Sequence, residues 1–248
     1  MDWKALRPAK DAELARLTEL PLSEVRPSIR AFAQYVTTHK QELACIAALK
    51  RTDPRTGRSW PQTDLVALAL TCDEAEVGAV GVYTEPSLFG TSLDDLRAVS
   101  EAVSAPVLRL DLVIHPRQIL HARLCGADAL VLWAGGLEAE TLSQLVSVAS
   151  ASHMTPVVAV QTPAEVDLAL SAGAFVLGIS SPSGGIEPKR IERLAAMVPP
   201  HKTVIVLDEL AAADECAALH GAVDAVLVGN LLLDAPDAGA LLASLAEH

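Results

Sequence analysis

Short apolar runs alternate with segments of helical periodicity along most of this chain. The central stretch shows the pattern most clearly. Apolar runs at Ala79–Tyr83, Pro106–Leu112 and Asp128–Trp133 are separated by helical patterns at Ser92–Val103 and Pro116–Cys125. None of the three runs alternates polar with apolar residues. Short apolar runs joined by helices are typical of buried parallel strands in right-handed βαβ units.

The same pattern continues on both sides and gives eight strand-like runs, each followed by a helical segment. The further strands are predicted at Glu42–Leu49, Pro156–Val160, Phe175–Ile179, Thr203–Leu207 and Asp224–Val228. The further helices are predicted at Asp64–Ala75, Glu138–Ser152, Pro163–Ala172, Glu187–Met197, Ala211–Leu219 and Asp237–Ala246, with Asp11–Glu19 and Leu22–His39 ahead of the first strand. No linker rich in Gly, Ser or Pro divides the chain. These features favour one α/β domain, a (βα)8 TIM barrel over residues 42–248 with an N-terminal helical extension over residues 1–41.

Composition narrows the classes of partner. The formal net charge is −12 and the sequence pI is about 4.9, which argues against binding to nucleic acid or to an acidic membrane surface. No apolar run approaches the length of a membrane span, and the N-terminus lacks a signal peptide, so we expect a cytoplasmic protein. The four cysteines show no metal-binding spacing and are expected to be reduced thiols. Neither a metal nor a cofactor is expected.

Polar residues interrupt the apolar pattern where the predicted strands end. Lys50 follows the first strand, Glu85 the second, and Asp111 and His115 come at the end of the third. Ligands of parallel α/β proteins bind at this end of the sheet, so these residues mark a candidate site. Lys50 is open to two interpretations. It binds a ligand anion or forms a Schiff base, or it forms an ion pair with a neighbouring carboxylate such as Asp111, Glu85 or Asp208.

Several ordered motifs resemble one enzyme family. They are Tyr83-Thr84-Glu85, Phe89-Gly90-Thr91-Ser92, Pro106-Val107-Leu108-Arg109-Leu110-Asp111-Leu112-Val113, Gln118-Ile119 and Ala122-Arg123-Leu124-Cys125-Gly126-Ala127-Asp128. In this order they resemble indole-3-glycerol phosphate synthase, almost from end to end of the chain. The resemblance implies a barrel lyase that closes an indole ring on an anthranilate-linked ribulose phosphate, with loss of carbon dioxide and water.

The positions that carry the family's chemistry differ in this chain. The general-acid lysine of the family's Lys-Asp-Phe is matched by Leu110, and the glutamate of its fifth strand by Ala159. The glutamate of the first strand is matched by Ala48. The family's Asn and Arg after the sixth strand are matched by Ser180 and Pro182, and its Glu-Ser-Gly after the seventh by Leu207-Asp208-Glu209-Leu210, where the register of the acidic residue stays open. Loss of acid, base and orienting amide together removes the groups that the reaction needs.

The remaining polar residues define the candidate site. The candidate catalytic residues are Lys50, Glu85, Asp111, Asp208 and Glu209. The candidate substrate-binding residues are Arg55, Thr56, Phe89, Leu110, Leu112, His115, Trp133, Ser180, Gly229 and Asn230. By resemblance, Gly229 and Asn230 would offer backbone amides to a phosphate after the eighth strand, with Arg55 and Thr56 compensating for the lost Ser-Gly loop.

Three hypotheses follow. In the first, the chain is a divergent homologue that acts on a phosphorylated or aromatic-carboxylate small molecule with altered lyase chemistry. In the second, it is a non-catalytic member that binds a ligand or a protein partner. In the third, it is an ordinary indole-3-glycerol phosphate synthase of tryptophan biosynthesis, and the substitutions argue against this one. For Lys50 we expect a ligand anion to be the partner.

Overall fold

Eight parallel strands close into a barrel in the computed structural model, which describes residues 3–18, 27–37 and 43–246, apart from the side chains of residues 3–5. The strands are β1 (Ala44–Leu49), β2 (Ala79–Tyr83), β3 (Val107–Leu110), β4 (Ala129–Trp133), β5 (Thr155–Val160), β6 (Val176–Ile179), β7 (Thr203–Glu209) and β8 (Ala225–Val228). Each strand pairs with the next, and β8 pairs with β1. The predicted (βα)8 barrel is confirmed.

The helices lie between successive strands, with two ahead of β1. They are α1 (Trp3–Arg16), α2 (Phe32–Thr37), α3 (Leu65–Glu74), α4 (Pro86–Phe89), α5 (Leu93–Ala102), α6 (Pro116–Leu124), α7 (Ala139–Ala151), α8 (Pro163–Ser171), α9 (Pro188–Ala195), α10 (Glu215–Leu219), α11 (Asn230–Asp234) and α12 (Ala238–Ala246). A short 3-10 turn, Ala134–Gly136, follows β4.

Alternate residues of the strands belong to two separate buried clusters. Ile46 and Ala48 of β1 pack in the barrel interior, whereas Ala47 and Leu49 belong to the layer between barrel and helices. Both faces of each strand are therefore buried, which explains the continuous apolar runs in the sequence. The same period of two directs Lys50, immediately after β1, towards the inside of the barrel mouth.

The seventh strand departs from regular pairing near its end. Val206 pairs with Val226, but the next partner of β8, Leu227, pairs with Glu209. Leu207 and Asp208 therefore form a β-bulge, and the strand continues two residues beyond the Thr203–Leu207 expected from the sequence. A bulge re-aims the side chains around it, and here Leu207, Asp208 and Glu209 all line the same cavity.

Three predicted helices differ clearly from the observed ones. The helix expected at Asp11–Glu19 is α1, which begins earlier, at Trp3, and ends at Arg16, while Glu19 lies outside the described residues. The helix expected at Leu22–His39 is α2, and residues 27–31 are not helical because Ser28 and Arg30 bind Asp128. The remainder of that prediction, residues 22–26 and 38–39, lies outside the described residues, as does Glu42 of the predicted first strand. The helix expected from Ala211 begins at Glu215, whose carboxylate accepts hydrogen bonds from the Ala211 and Ala212 amides instead.

No described helix is long and apolar enough to cross a membrane. Cys45, Cys72, Cys125 and Cys216 are all free thiols. Burial raises the pKa of Cys45 and of Cys72 to about 12, so both are inert thiols packed among apolar side chains.

Candidate active site

A cavity of about 540 Å³ opens at the carboxyl ends of the strands. It is bounded by the ends of β1 to β4, the loop after β6 and the bulged end of β7, while Leu6 and Ala9 of α1 cover one side. Its lining includes Lys50, Arg55, Phe89, Leu110, Asp111, Trp133, Ser180, Asp208 and Glu209 from the residues predicted for the site. Nine of the residues predicted for the site therefore line one cavity.

Lys50 lies at the centre of a buried ion-pair group. Its Nζ is 2.5 Å from Oε1 of Glu209 and 3.3 Å from Oδ2 of Asp53, and its side chain is only 3% exposed. The Tyr83 hydroxyl donates to the same Glu209 oxygen at 2.9 Å, and Lys50 Nζ lies 5.2 Å from the Tyr83 ring centroid. The expectation that a ligand anion is the missing partner of Lys50 is wrong in this structure, because two carboxylates already neutralise the ammonium.

The second carboxylate oxygen of Glu209 contacts the backbone that follows β8. Oε2 accepts a hydrogen bond from the Asn230 amide at 3.0 Å, and a β-carbon on Gly229 would collide with this carboxylate. Asn230 Nδ2 donates to Asp53 at 2.5 Å. The Asn230 amide expected to hold a phosphate is therefore already satisfied by an internal anion.

Burial and hydrogen bonds set the ionisation of this group. Burial would raise the pKa of Asp53, but the Asn230 side chain and the Lys50 charge lower it to about 2. Burial raises the pKa of Tyr83 well above its ordinary value, and the neighbouring Glu209 charge adds to the effect. At neutral pH Asp53 is therefore a carboxylate and Tyr83 a neutral phenol.

Glu85 and Asp111 bind a lysine that the sequence did not indicate. Lys10 of α1 is fully buried, with its Nζ 2.7 Å from Glu85 Oε2 and 2.6 Å from Asp111 Oδ1. Burial would lower the pKa of Lys10, but the Asp111 and Glu13 carboxylates raise it above its ordinary value. Neither Glu85 nor Asp111 is the partner of Lys50.

Arg109 completes this second group from the middle of β3. Its guanidinium lies 2.6 Å from Asp111 Oδ2 and 2.9 Å from Glu13 Oε1, and its Nε donates to Thr84 Oγ1 at 2.9 Å. Burial would raise the pKa of Asp111, but Arg109 and Lys10 hold it below its ordinary value. The group ties α1 to the ends of β2 and β3, next to the cavity.

Asp208 stands apart from both groups. It is 6% exposed, lines the cavity, and accepts hydrogen bonds from the Ser180 hydroxyl at 3.2 Å and the Ser181 amide at 2.5 Å. Burial raises its pKa to about 6, against the lowering effect of these hydrogen bonds and of Arg55 and Arg190. The bulge in β7 brings both candidate acidic residues, Asp208 and Glu209, to the cavity.

Aromatic and aliphatic side chains form the rest of the wall. The Tyr83 and Phe89 rings stack with centroids 4.2 Å apart, and Trp133 at the end of β4 is 8% exposed on another side. Leu110 lines the cavity, whereas Leu112 is buried in the inner cluster and is not part of the lining. The cavity therefore offers flat apolar surfaces suited to a planar ligand.

Three predicted binding residues have other surroundings. His115 caps the N-terminus of α6, where its Nδ1 accepts a hydrogen bond from the Arg117 amide at 3.1 Å. Thr56 and Asn230 line a neighbouring depression. These three residues, like the predicted site residues Glu85, Leu112 and Gly229, are absent from the lining of the main cavity.

Five residues of the site were missed by sequence reasoning: Lys10, Glu13, Asp53, Tyr83 and Arg109. Arg109 carried a signal, since a charge within an apolar strand must be paired when it is buried. Lys10 and Glu13 carried none, because charged residues are ordinary on a terminal helix.

The three positions matched to acid–base groups are hydrocarbon in this structure. Ala48 and Ala159 are fully buried in the inner cluster. The Leu110 side chain packs over Gly81, so that a β-carbon at residue 81 would lie 2.8 Å from Leu110 Cδ1. Ala159 pairs with Trp133 across β4 and β5.

Comparison with known proteins shows which family this chain belongs to. The family model for indole-3-glycerol phosphate synthase matches residues 5–245. The chain belongs to the indole-3-glycerol phosphate synthase family. It is 36% identical over 207 residues to the indole-3-glycerol phosphate synthase of Mycobacterium ulcerans (strain Agy99), covering 82% of this chain and 76% of the relative. It is 34% identical over 239 residues to that of Mycobacterium avium (strain 104), covering 93% of this chain and 88% of the relative.

Membership of the indole-3-glycerol phosphate synthase family confirms the resemblance read from the motifs. A small-molecule ligand at the carboxyl ends of the strands is consistent with this family and with the cavity. Among the described residues, no three His, Cys, Asp or Glu side chains are grouped as metal ligands.

Proposed function

We propose that this indole-3-glycerol phosphate synthase homologue binds a small molecule in its barrel cavity but does not carry out the family's ring closure efficiently. The observation that carries the proposal is the hydrocarbon character of Leu110, Ala159 and Ala48. None of these side chains can donate or accept a proton. General acid–base groups contribute about 10²–10⁴-fold each, so losing them leaves little of the rate.

The contacts of the remaining ionisable groups support the same proposal. Lys50 is held by Glu209 and Asp53, and Asp111 is held by Lys10 and Arg109. A group locked in a buried ion pair is a poor acid or base, because proton transfer would strand its partner as an uncompensated charge. We therefore favour a ligand-binding member over an enzyme with relocated lyase chemistry.

A protein partner is the second candidate role. It rests on the N-terminal region, where α1 contributes Leu6 and Ala9 to the cavity wall and is fixed there by Lys10. A ligand in the cavity would touch this helix and so alter the outer surface. Within this proposal the chain is one domain and acts in the cytoplasm, where its four free thiols stay reduced.

Genetic complementation tests the proposal. A tryptophan auxotroph that lacks its indole-3-glycerol phosphate synthase is transformed with this gene or with that of the Mycobacterium avium relative. We expect growth without tryptophan only with the relative. An immunoblot confirms that both proteins accumulate. Growth supported by this chain at the same expression level would contradict the proposal.

A further inference from the structure

Asp208 differs from the other cavity carboxylates in having no cation beside it. Glu209 and Asp53 bind Lys50, and Asp111 binds Lys10 and Arg109. In the part of the chain that the structure describes, no Lys, Arg or His nitrogen lies within 4.0 Å of the Asp208 carboxylate. A buried carboxylate at a cavity wall without a counter-ion favours a ligand that brings one.

Two arginines act on the Asp208 carboxylate from beyond ion-pair distance, and each is engaged elsewhere or exposed. Arg190 donates to the carbonyl oxygens of Ser180 and Gln161. Arg55 lies on an exposed loop and packs against Gly184, where solvent screens its charge. The direct contacts of the Asp208 carboxylate are therefore hydrogen bonds from the Ser180 hydroxyl and the Ser181 amide, while the charges of Arg55 and Arg190 act on it from beyond ion-pair distance.

Three donors at the predicted phosphate position already bind an internal anion. The Lys50 ammonium, the Tyr83 hydroxyl and the Asn230 amide all contact the Glu209 carboxylate. A phosphate at this place would have to displace a buried glutamate, which would then lose three hydrogen bonds. Glu209 thus acts as an internal anion that selects against phosphorylated ligands.

The remaining wall suits an aromatic body. The stacked Tyr83 and Phe89 rings and the buried Trp133 line the same cavity as Asp208, together with Leu110 and Leu207. The volume of about 540 Å³ is within the range of small-molecule sites. The charge and shape of the cavity therefore point to one class of ligand.

We propose that this cavity binds a non-phosphorylated aromatic amine, with its ammonium against the Asp208 carboxylate and its ring between the aromatic walls. This inference rests on the proposed function and names its ligand class. It replaces the expectation of a phosphorylated or aromatic-carboxylate ligand. Glu209 disfavours a phosphorylated ligand, and Asp208 favours a ligand that carries a positive charge.

Isothermal titration calorimetry of the full chain tests the proposal with three probes. Tryptamine carries the aromatic ring and an ammonium, indole-3-propionate carries the same ring with a carboxylate, and inorganic phosphate carries neither ring nor amine. We expect tryptamine to bind at pH 7.5 at least tenfold more tightly than indole-3-propionate, and phosphate not to bind. Equal or tighter binding of either anion, or no tryptamine binding at millimolar concentration, overturns the proposal.

Substitution of Asp208 assigns the site. Asp208→Asn keeps an acceptor for the Ser181 amide and can donate to the Ser180 hydroxyl, so the fold is retained while the charge is lost. We expect its tryptamine affinity to fall at least tenfold, whereas the matched surface variant Asp167→Asn on α8 retains wild-type affinity. Unchanged affinity in Asp208→Asn overturns the assignment, with a thermal melt confirming folding.

Calorimetry and complementation test the ligand class and the proposed function separately. Failure of tryptamine to bind leaves the proposed loss of ring closure intact, because that rests on Leu110, Ala159 and Ala48. Growth of the complemented auxotroph contradicts the proposed function whatever the calorimetry shows.

Discussion

Glu209 places one carboxylate oxygen 2.5 Å from the Nζ of Lys50, which lies 159 residues earlier in the chain. The same carboxylate reaches the amide that begins α11. One glutamate on a bulged strand thus joins β1, β7 and β8 at the barrel mouth. Lys50, which seemed from the sequence to await a ligand, is part of this internal contact.

Lys50→Met is expected to destabilise the protein. The substitution removes the ammonium and leaves the buried Glu209 and Asp53 carboxylates without their cation, which costs about 3–5 kcal/mol. Urea unfolding measures the free energy of unfolding of this variant, of Glu209→Gln and of the double variant. We expect the double variant to lose less stability than the sum of the single losses. Strict additivity would contradict the ion pair.

Gly229→Ala tests the position of the Glu209 carboxylate. A β-carbon at residue 229 collides with this carboxylate, so we expect a loss of about 1–3 kcal/mol in the free energy of unfolding. Gly185→Ala is the control, because a β-carbon there meets no atom within 4 Å. The control should stay within about 0.5 kcal/mol of the wild type. Equal melting temperatures for the two variants would show that Glu209 lies elsewhere.

Lys10→Met tests the attachment of α1 to the barrel. The change strands the Glu85 and Asp111 carboxylates, so we expect a loss of about 3 kcal/mol and faster proteolytic cleavage of α1. Arg7→Met on the same helix removes an exposed ion pair with Asp11 and is expected to cost under about 1 kcal/mol. If the two variants melt and are cleaved alike, Lys10 does not hold the helix.

Asp208→Asn is expected to stabilise the protein at neutral pH. The folded carboxyl keeps its proton up to about pH 6, whereas the unfolded chain releases it near the ordinary pKa of 3.8. The folded state therefore binds more protons between about pH 4 and pH 6, and the wild-type free energy of unfolding falls as pH rises through this window. Above about pH 6 the free energy of unfolding of the wild type stays lower, by up to about 3 kcal/mol, than it would be without this pKa shift.

Urea unfolding at pH 4 and pH 7.5 measures this effect. The stability advantage of Asp208→Asn over the wild type should be present at pH 7.5 and absent at pH 4. Asp167→Asn, on the exposed face of α8, provides the comparison for a carboxyl outside the cavity. An advantage that is the same at both pH values would mean that Asp208 is not the titrating group.

The barrel could be predicted because its strands are buried on both faces. Ala79–Tyr83 was predicted with the observed bounds of β2, since a run without polar residues between two turns has few alternative structures. The helix predicted at Ala211–Leu219 begins later than expected, at Glu215. Three of the four residues before Glu215 are alanines, which have high helix propensity, but the Glu215 carboxylate accepts a hydrogen bond from the Ala211 amide and holds this segment in a turn. Here a side-chain hydrogen bond outweighs the helix propensity of the segment.

The sequence could predict which polar residues lie at strand ends, but not how they pair with one another. Lys50, Asp111 and Asp208 were placed at strand ends by the sequence pattern, and they line one cavity. The pairing within the cavity could not be predicted, because it depends on a bulge at Leu207 and Asp208 and on a lysine delivered by α1. Neither leaves a periodic signal in the sequence.

The central claim is that this family member has lost efficient ring closure, and a steady-state assay tests it most directly. The purified chain is mixed with carboxyphenylamino-deoxyribulose phosphate at pH 7.5, and indole-3-glycerol phosphate formation is followed by fluorescence beside the Mycobacterium avium relative. We expect the relative to turn over and this chain to remain at least about 10⁴-fold slower, as the loss of acid and base groups implies. Turnover of roughly 1 s⁻¹ or more would contradict the claim, because that rate is ordinary for an enzyme with its catalytic groups in place.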